Sequence, residues 1–238
     1  MSVFVLVHGA YHGAWCYNKI VPILQDAGHT VIAVDLPGHG KNIIPRDQIT
    51  LDNYVRHVCE IVDAQSEPVI LVGHSMGGLT ISQVAEERPD RLKMIVFLTA
   101  LMPKNGESRN DLSARVNEEA RVAAARISTD DGLANTVSED LLKGLFYGDC
   151  NDADIAFAKA YLVPQAYAPM NQKLRLTDAK YGRVPRVFIE CLQDGALSIR
   201  MQRKMYGDVP VQKVVTMDTS HSPFFSAPED LAGHLMAL

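Results

Sequence analysis

Six short apolar runs, most of them rich in β-branched residues, recur along this chain, with helix-period segments between most of them. They are Val3–Val7, Thr30–Val34, 69–72, 94–98, 186–190 and 211–215. Near-continuous apolar strands are buried on both faces, and strands that alternate with helices pair in parallel. The spacing therefore predicts an α/β fold, a mostly parallel six-stranded sheet with helices on both faces. Segment 14–27 reads as the first helix, with Gly28 placed to close its C-terminus. In 51–64 the residues Leu51, Tyr54, Val55, Val58, Ile61 and Val62 fall at helical spacing behind Thr50, a good N-cap. Segments 196–206 and 228–238 predict two later helices. A chain of 238 residues, 47% of them hydrophobic, buries about 70 to 75% of its unfolded surface, so a single domain over 1–238 is expected.

The alternation fails from about 101 to 181, where no convincing strand is read and helix-like pieces at 108–126, 138–145 and Asp152–Tyr161 are separated by Gly and Pro. So long an excursion between two strands is usually functional. Residues 101–181 are expected to be a helical cap inserted over the carboxyl edge of the sheet, where open α/β folds bind ligands.

The run at 69–72 leads directly into Gly73-His74-Ser75-Met76-Gly77, and 79–88 continues as a helix with Ile81, Val84 and Ala85 on one face. Between a strand and a helix, Gly-x-Ser-x-Gly makes a turn tight enough to hold the serine hydroxyl up as a nucleophile. That hydroxyl needs a histidine to take its proton and a carboxylate to orient the histidine, in the chain order Ser, acid, His. Asp194, in the turn Leu192-Gln193-Asp194-Gly195 beyond the run 186–190, fits the acid. After the run 94–98 stand Thr99, Ala100, Leu101 and Met102, none of them ionisable. Of the histidines beyond Asp194, His234 falls inside the last helix, which leaves His221 as the general base. The oxyanion of acyl transfer needs donors already aimed at it, and the backbone N–H groups of Met76 and Ala10 are the candidates. His8 and His12 stand four apart, a metal-binding spacing only on a helix; in this glycine-rich loop they read as hydrogen-bonding braces, and no metal site is expected.

A net charge of −5 with no basic block excludes a phosphate-tracking surface, so nucleic acid is not an expected partner. Cys16, Cys59, Cys150 and Cys191 are scattered, without a C-x-x-C pair, and read as buried reduced thiols. Val3–Val7 is too short for a signal sequence and no apolar run reaches the length of a membrane span. A soluble cytoplasmic protein with no membrane partner is expected, its assembly left open, a homodimer included.

Together the stretches FVLVHGAYHGAW, AGHTVIAVDLPGHG, PVILVGHSMGG and RVFIECLQD and the His221 loop resemble the plant methylesterase and hydroxynitrile lyase family of the α/β-hydrolases. The likeness covers nearly the whole chain and is weakest over 106–140. It implies an α/β-hydrolase fold with a helical cap over a largely apolar pocket, no cofactor, and Ser75, Asp194 and His221 as triad. Lyases of this family resemble the esterases but carry threonine in place of Gly9, glutamate in place of His74 and lysine in place of Ser222. That lysine compensates the charge of a cyanide leaving group, which neutral Ser222 cannot do. The expected function is therefore that of a serine carboxylesterase, cleaving small esters with an apolar or aromatic acyl part and a small alcohol through an acyl-enzyme. Phe146, Tyr147, Tyr161 and Tyr167, with Ser222, are the candidate pocket residues, equally suited to packing cap on core. A hydroxynitrile lyase, a small-molecule receptor on the same fold, and perhydrolysis are the alternatives.

Overall fold

Residues 1–117 and 124–238 are described by the computed structural model. Along the chain the strands are β1 (Val3–Val7), β2 (Thr30–Val34), β3 (Val69–His74), β4 (Leu92–Leu98), then three short ones, β5 (Arg126–Ser128), β6 (Ala134–Val137) and β7 (Gln165–Ala166), and finally β8 (Arg186–Cys191) and β9 (Lys213–Met217). The long strands form one sheet in the order β2-β1-β3-β4-β8-β9, every pairing parallel. The last strand starts two residues later than the run 211–215, because β8 fixes its register from Val187↔Lys213 to Cys191↔Met217. As an edge strand it tolerates polar Thr216 and leaves Val214 partly exposed.

Successive side chains point to opposite faces, so each strand feeds two cores. Val5 and Val7 of β1, Leu71 of β3 and Phe97 of β4 enter one; Phe4, Leu6, Val72 and Leu98 enter the other. All are at most 1% exposed, and each such side chain contributes roughly 1.5 to 3 kcal/mol by leaving water.

Segment 14–27 divides into a 3-10 turn, Ala14–Tyr17, and α1 (Ile20–Asp26), closed by Gly28 at φ +85°. The Thr50 side chain accepts from Asn53 N at 3.1 Å and caps α2 (Leu51–Asp63). α3 (Gly77–Glu87) follows the serine turn.

Between β4 and β8 lie α4 (Arg109–Val116), α5 (Glu139–Phe146), α6 (Asp152–Tyr161) and α7 (Ala168–Asn171). The purely helical cap is corrected here, since β5, β6 and β7 pair antiparallel in that order. The helix expected over 108–126 stops at Asn117, which is left-handed at φ +52°; 118–123 lies outside the described residues, and Arg126 opens a strand. The cap meets the loop after β1: Tyr11 donates to Asn135 Oδ1 at 2.5 Å, and Val163 N donates to Tyr11 O at 3.0 Å. Beyond β8, α8 (Ile199–Asp208) begins three residues later than expected, behind the N-cap Ser198, and α9 (Pro223–Ser226) and α10 (Pro228–Met236) follow β9. Among the described residues no helix is long and apolar enough to cross a membrane.

Candidate active site

In this strand order β2 and β3 flank β1, and that reversal brings the loops after β1 and β3 together at the carboxyl edge. Ser75 sits there at φ +52°, a left-handed conformation uncommon outside glycine. Two close approaches hold it. A Cβ on Gly73 would lie 2.8 Å from Ile81 Cδ1, and one on Gly77 would lie 2.8 Å from the carbonyl oxygen of His8. Only glycines on both sides let the turn settle between β1 and α3. Leu101 N donates to Ser75 O at 2.9 Å, tying the turn to the loop after β4.

Asp194 and His221 come from the loops after β8 and β9, and both are buried. His221 Nδ1 bonds Asp194 Oδ2 at 2.6 Å, which turns Nε2 away from the acid. Asp194 Oδ1 accepts from Ala196 N and Leu197 N, each at 2.7 Å, and Thr99 Oγ1 donates to Oδ2. Thr99, set aside in the sequence as not ionisable, thus serves the acid as a donor.

The histidines of the β1 and β3 loops are buried braces. His8 Nδ1 donates to Gly9 O at 2.7 Å while Nε2 accepts from Leu36 N at 3.2 Å. His12 Nδ1 donates to Ala10 O at 2.7 Å while Nε2 accepts from Tyr147 Oη at 2.8 Å. Each is committed to one neutral tautomer, and burial lowers the pKa of His12 to about 4 and that of His8 well below its ordinary value. His74 Nε2 donates to the backbone carbonyl of His221 at 2.8 Å, so the residue before the serine pins the loop that carries the base. Burial, reinforced by His221, keeps His74 neutral too. Among the described residues no group of His, Cys, Asp and Glu could hold a metal ion.

One cavity gathers Ala10, Ser75, Met76, His221 and Phe146 from the expected set. The backbone after β1 runs directly against the serine, since a Cβ on Gly9 would lie 2.8 Å from Ser75 Cβ. Four of the expected pocket residues are elsewhere. Tyr147 is fully buried and turned onto His12; Tyr161, 51% exposed, lies against Trp15 and Phe157. Tyr167 is half-buried and bonds Ser128, and Ser222 is packed away from the cavity. In their place the wall is made by Leu101, Met170, Ala196 and Leu197, with Tyr11, His12, His74, Arg109 and Arg126. Apart from His74, inside the Gly-x-Ser-x-Gly turn, no motif marks these residues, which come from the loops after β1, β4 and β8 as well as from the cap. The cavity's volume is about 40 Å³.

Residues 4–234 match the alpha/beta hydrolase family. Over 239 residues the chain is 38% identical to putative methylesterase 11, chloroplastic, of Arabidopsis thaliana, covering 96% of this chain and 61% of that relative's length. Methylesterase 9 of the same plant is 30% identical, with 100% of this chain and 98% of the relative covered. Among solved structures, polyneuridine aldehyde esterase superposes with a TM-score of 0.90 at 25% identity, covering 100% of this chain and 98% of that one. A pyrethroid hydrolase from Sphingobium faniae gives 0.88 at 28% identity, covering 99% and 96%.

Proposed function

We propose that this chain, which belongs to the alpha/beta hydrolase family and within it to the plant methylesterase branch, is a serine carboxylesterase. The observation that carries the reading is the buried Asp194–His221 hydrogen bond of 2.6 Å, lodged behind the cavity that Ser75 and His221 line together. With Nδ1–H committed to Asp194, His221 Nε2 is the base that takes the proton of Ser75 Oγ as the oxygen attacks an ester carbonyl. The tetrahedral oxyanion rests on the N–H groups of Met76, at the positive end of α3, and Ala10. His221 then returns the proton to the leaving alcohol, and water repeats the sequence on the acyl-enzyme to release the acid. Apolar Leu101, Phe146, Met170 and Leu197 suit an apolar or aromatic acyl part. Methylesterase relatives and esterase neighbours support ester hydrolysis. Against cyanohydrin cleavage stand neutral Ser222 and Gly9, at which even a Cβ would press on Ser75.

Ser75→Ala is expected to lower kcat for a p-nitrophenyl ester of a short fatty acid by at least about 10³-fold while the far-UV circular dichroism stays that of the wild type. Turnover that survives this replacement sinks the mechanism.

A further inference from the structure

Beside the catalytic cavity lies a second one of about 270 Å³, close to the lower end of the range for small-molecule sites, about 300 Å³. Val137, Leu142, Leu162, Val163 and Pro164 make its wall largely apolar. Glu139 and Lys159, exposed and paired at 2.7 Å, complete that wall where it meets solvent. Among the described residues Tyr11 alone belongs to both cavities, and Ala10, the proposed oxyanion donor, immediately precedes it. Tyr11 is buried, and its backbone is left-handed at φ +68°, a conformation that a bulky residue keeps only where its surroundings fix it. The cap does the fixing. Val163 N donates to Tyr11 O at 3.0 Å, Tyr11 Oη donates to Asn135 Oδ1 at 2.5 Å, and Asn135 Nδ2 donates in turn to Gln165 O at 3.1 Å. The Phe146 ring stands 6.0 Å away, centroid to centroid.

We propose that Tyr11 sets the length of acyl chain that this protein accepts, its side chain standing as the partition between the catalytic cavity and the second, apolar one. This rests on the serine carboxylesterase reading, in which a small alcohol leaves beside His221 and the acyl part is what extends. With the ring in place a short acyl group is held against Ser75, and a longer one meets the phenol. With the ring removed the two cavities join, and the chain continues between Val137, Leu142 and Leu162. Each methylene drawn from water into such a wall strengthens binding about fourfold, so the long esters gain most.

Methanol release follows the methyl esters of butanoic, hexanoic, octanoic and decanoic acid alike. Wild type is expected to lose about tenfold or more in kcat/KM from butanoate to decanoate, and Tyr11→Ala to raise the ratio of decanoate to butanoate by about tenfold or more, mainly through KM. Tyr11→Phe, which keeps the ring and gives up the bond to Asn135, is expected to keep the wild-type profile. Adding Val137→Phe to Tyr11→Ala refills the second cavity and is expected to return the preference to butanoate, a reversal that mere loosening of the loop would not show. A wild type that cleaves decanoate as well as butanoate overturns the proposal. So does a Tyr11→Ala variant with the wild-type profile, a Tyr11→Phe variant that shifts as far as Tyr11→Ala, or a double variant that keeps the long-chain preference. Should Tyr11→Ala not fold, Tyr11→Leu, also smaller than the phenol, is read in its place with the same outcomes. If wild type hydrolyses the butanoate and no Tyr11 variant changes the chain-length profile, the partition fails and the esterase reading stands. If wild type hydrolyses no ester at all, the esterase reading falls and takes the partition with it.

Discussion

Asp194 accepts from two backbone N–H groups, from Thr99 and from His221, so a buried carboxylate is satisfied on every side and its charge is held against the imidazole. Asp194→Asn puts an amide that can donate where only an acceptor serves, and His221 loses the reason to keep its proton on Nδ1. A fall in kcat of about 10³ to 10⁴-fold is expected with little change in KM, read from steady-state ester hydrolysis. A fall under tenfold would mean that the pair is structural. The places of Ser75, Asp194 and His221 at the carboxyl edge of the sheet were legible in the sequence because their order and their positions after strands are properties of the chain itself. Thr99 was not, because a hydroxyl donor at φ +35° looks like any loop threonine until the acid stands beside it. Tyr147, Tyr161, Tyr167 and Ser222 misled for a related reason. Sequence tells that a side chain is aromatic or small; the packing of cap on core decides where it points.

The central strands could be read because a strand buried on both faces is apolar throughout, a pattern that survives without knowledge of neighbours. The cap strands could not. β5, β6 and β7 hold three, four and two residues, and Ile127 is 54% exposed, so no period-two signal has room to develop. Two helical glycines offer a contrast. By propensity alone, alanine gains about 1 kcal/mol at Gly144, inside α5, and less at Gly78, in the first turn of α3. At Gly144 a Cβ meets nothing within 4 Å, whereas at Gly78 it would lie 2.0 Å from the carbonyl oxygen of Leu101. Gly144→Ala is therefore expected to raise stability by up to about 1 kcal/mol, and Gly78→Ala to lower it by about 3 kcal/mol or more, since backbone must move. Urea midpoints measure both, and a Gly78→Ala variant as stable as wild type would refute the close contact between α3 and the loop after β4.

Four histidines, His8, His12, His39 and His74, are buried near the carboxyl edge of the sheet, and burial lowers the pKa of each, that of His12 and His39 to about 4. In the unfolded chain they titrate near 6.5. As pH falls below that value the unfolded state takes up protons that the folded state refuses, until the folded groups titrate in their turn. Their contribution is thus complete above about pH 6.5 and lost on the way to pH 4, roughly 3 kcal/mol each for His12 and His39. Against a total of about 5 to 15 kcal/mol this is large, and calorimetry is expected to find Tm falling steeply between pH 6.5 and 4.5. A flat Tm across that window would mean that the histidines admit protons while folded. The parallel sheet carries a further consequence, in time. Phe4 waits for Ile70, and Ile95 waits for Arg186, so few sheet pairings form between near neighbours in the chain. Contacts so distant make refolding slow. During synthesis the serine turn leaves the ribosome well before the loop that carries His221 exists, and until then the growing chain carries open strand edges.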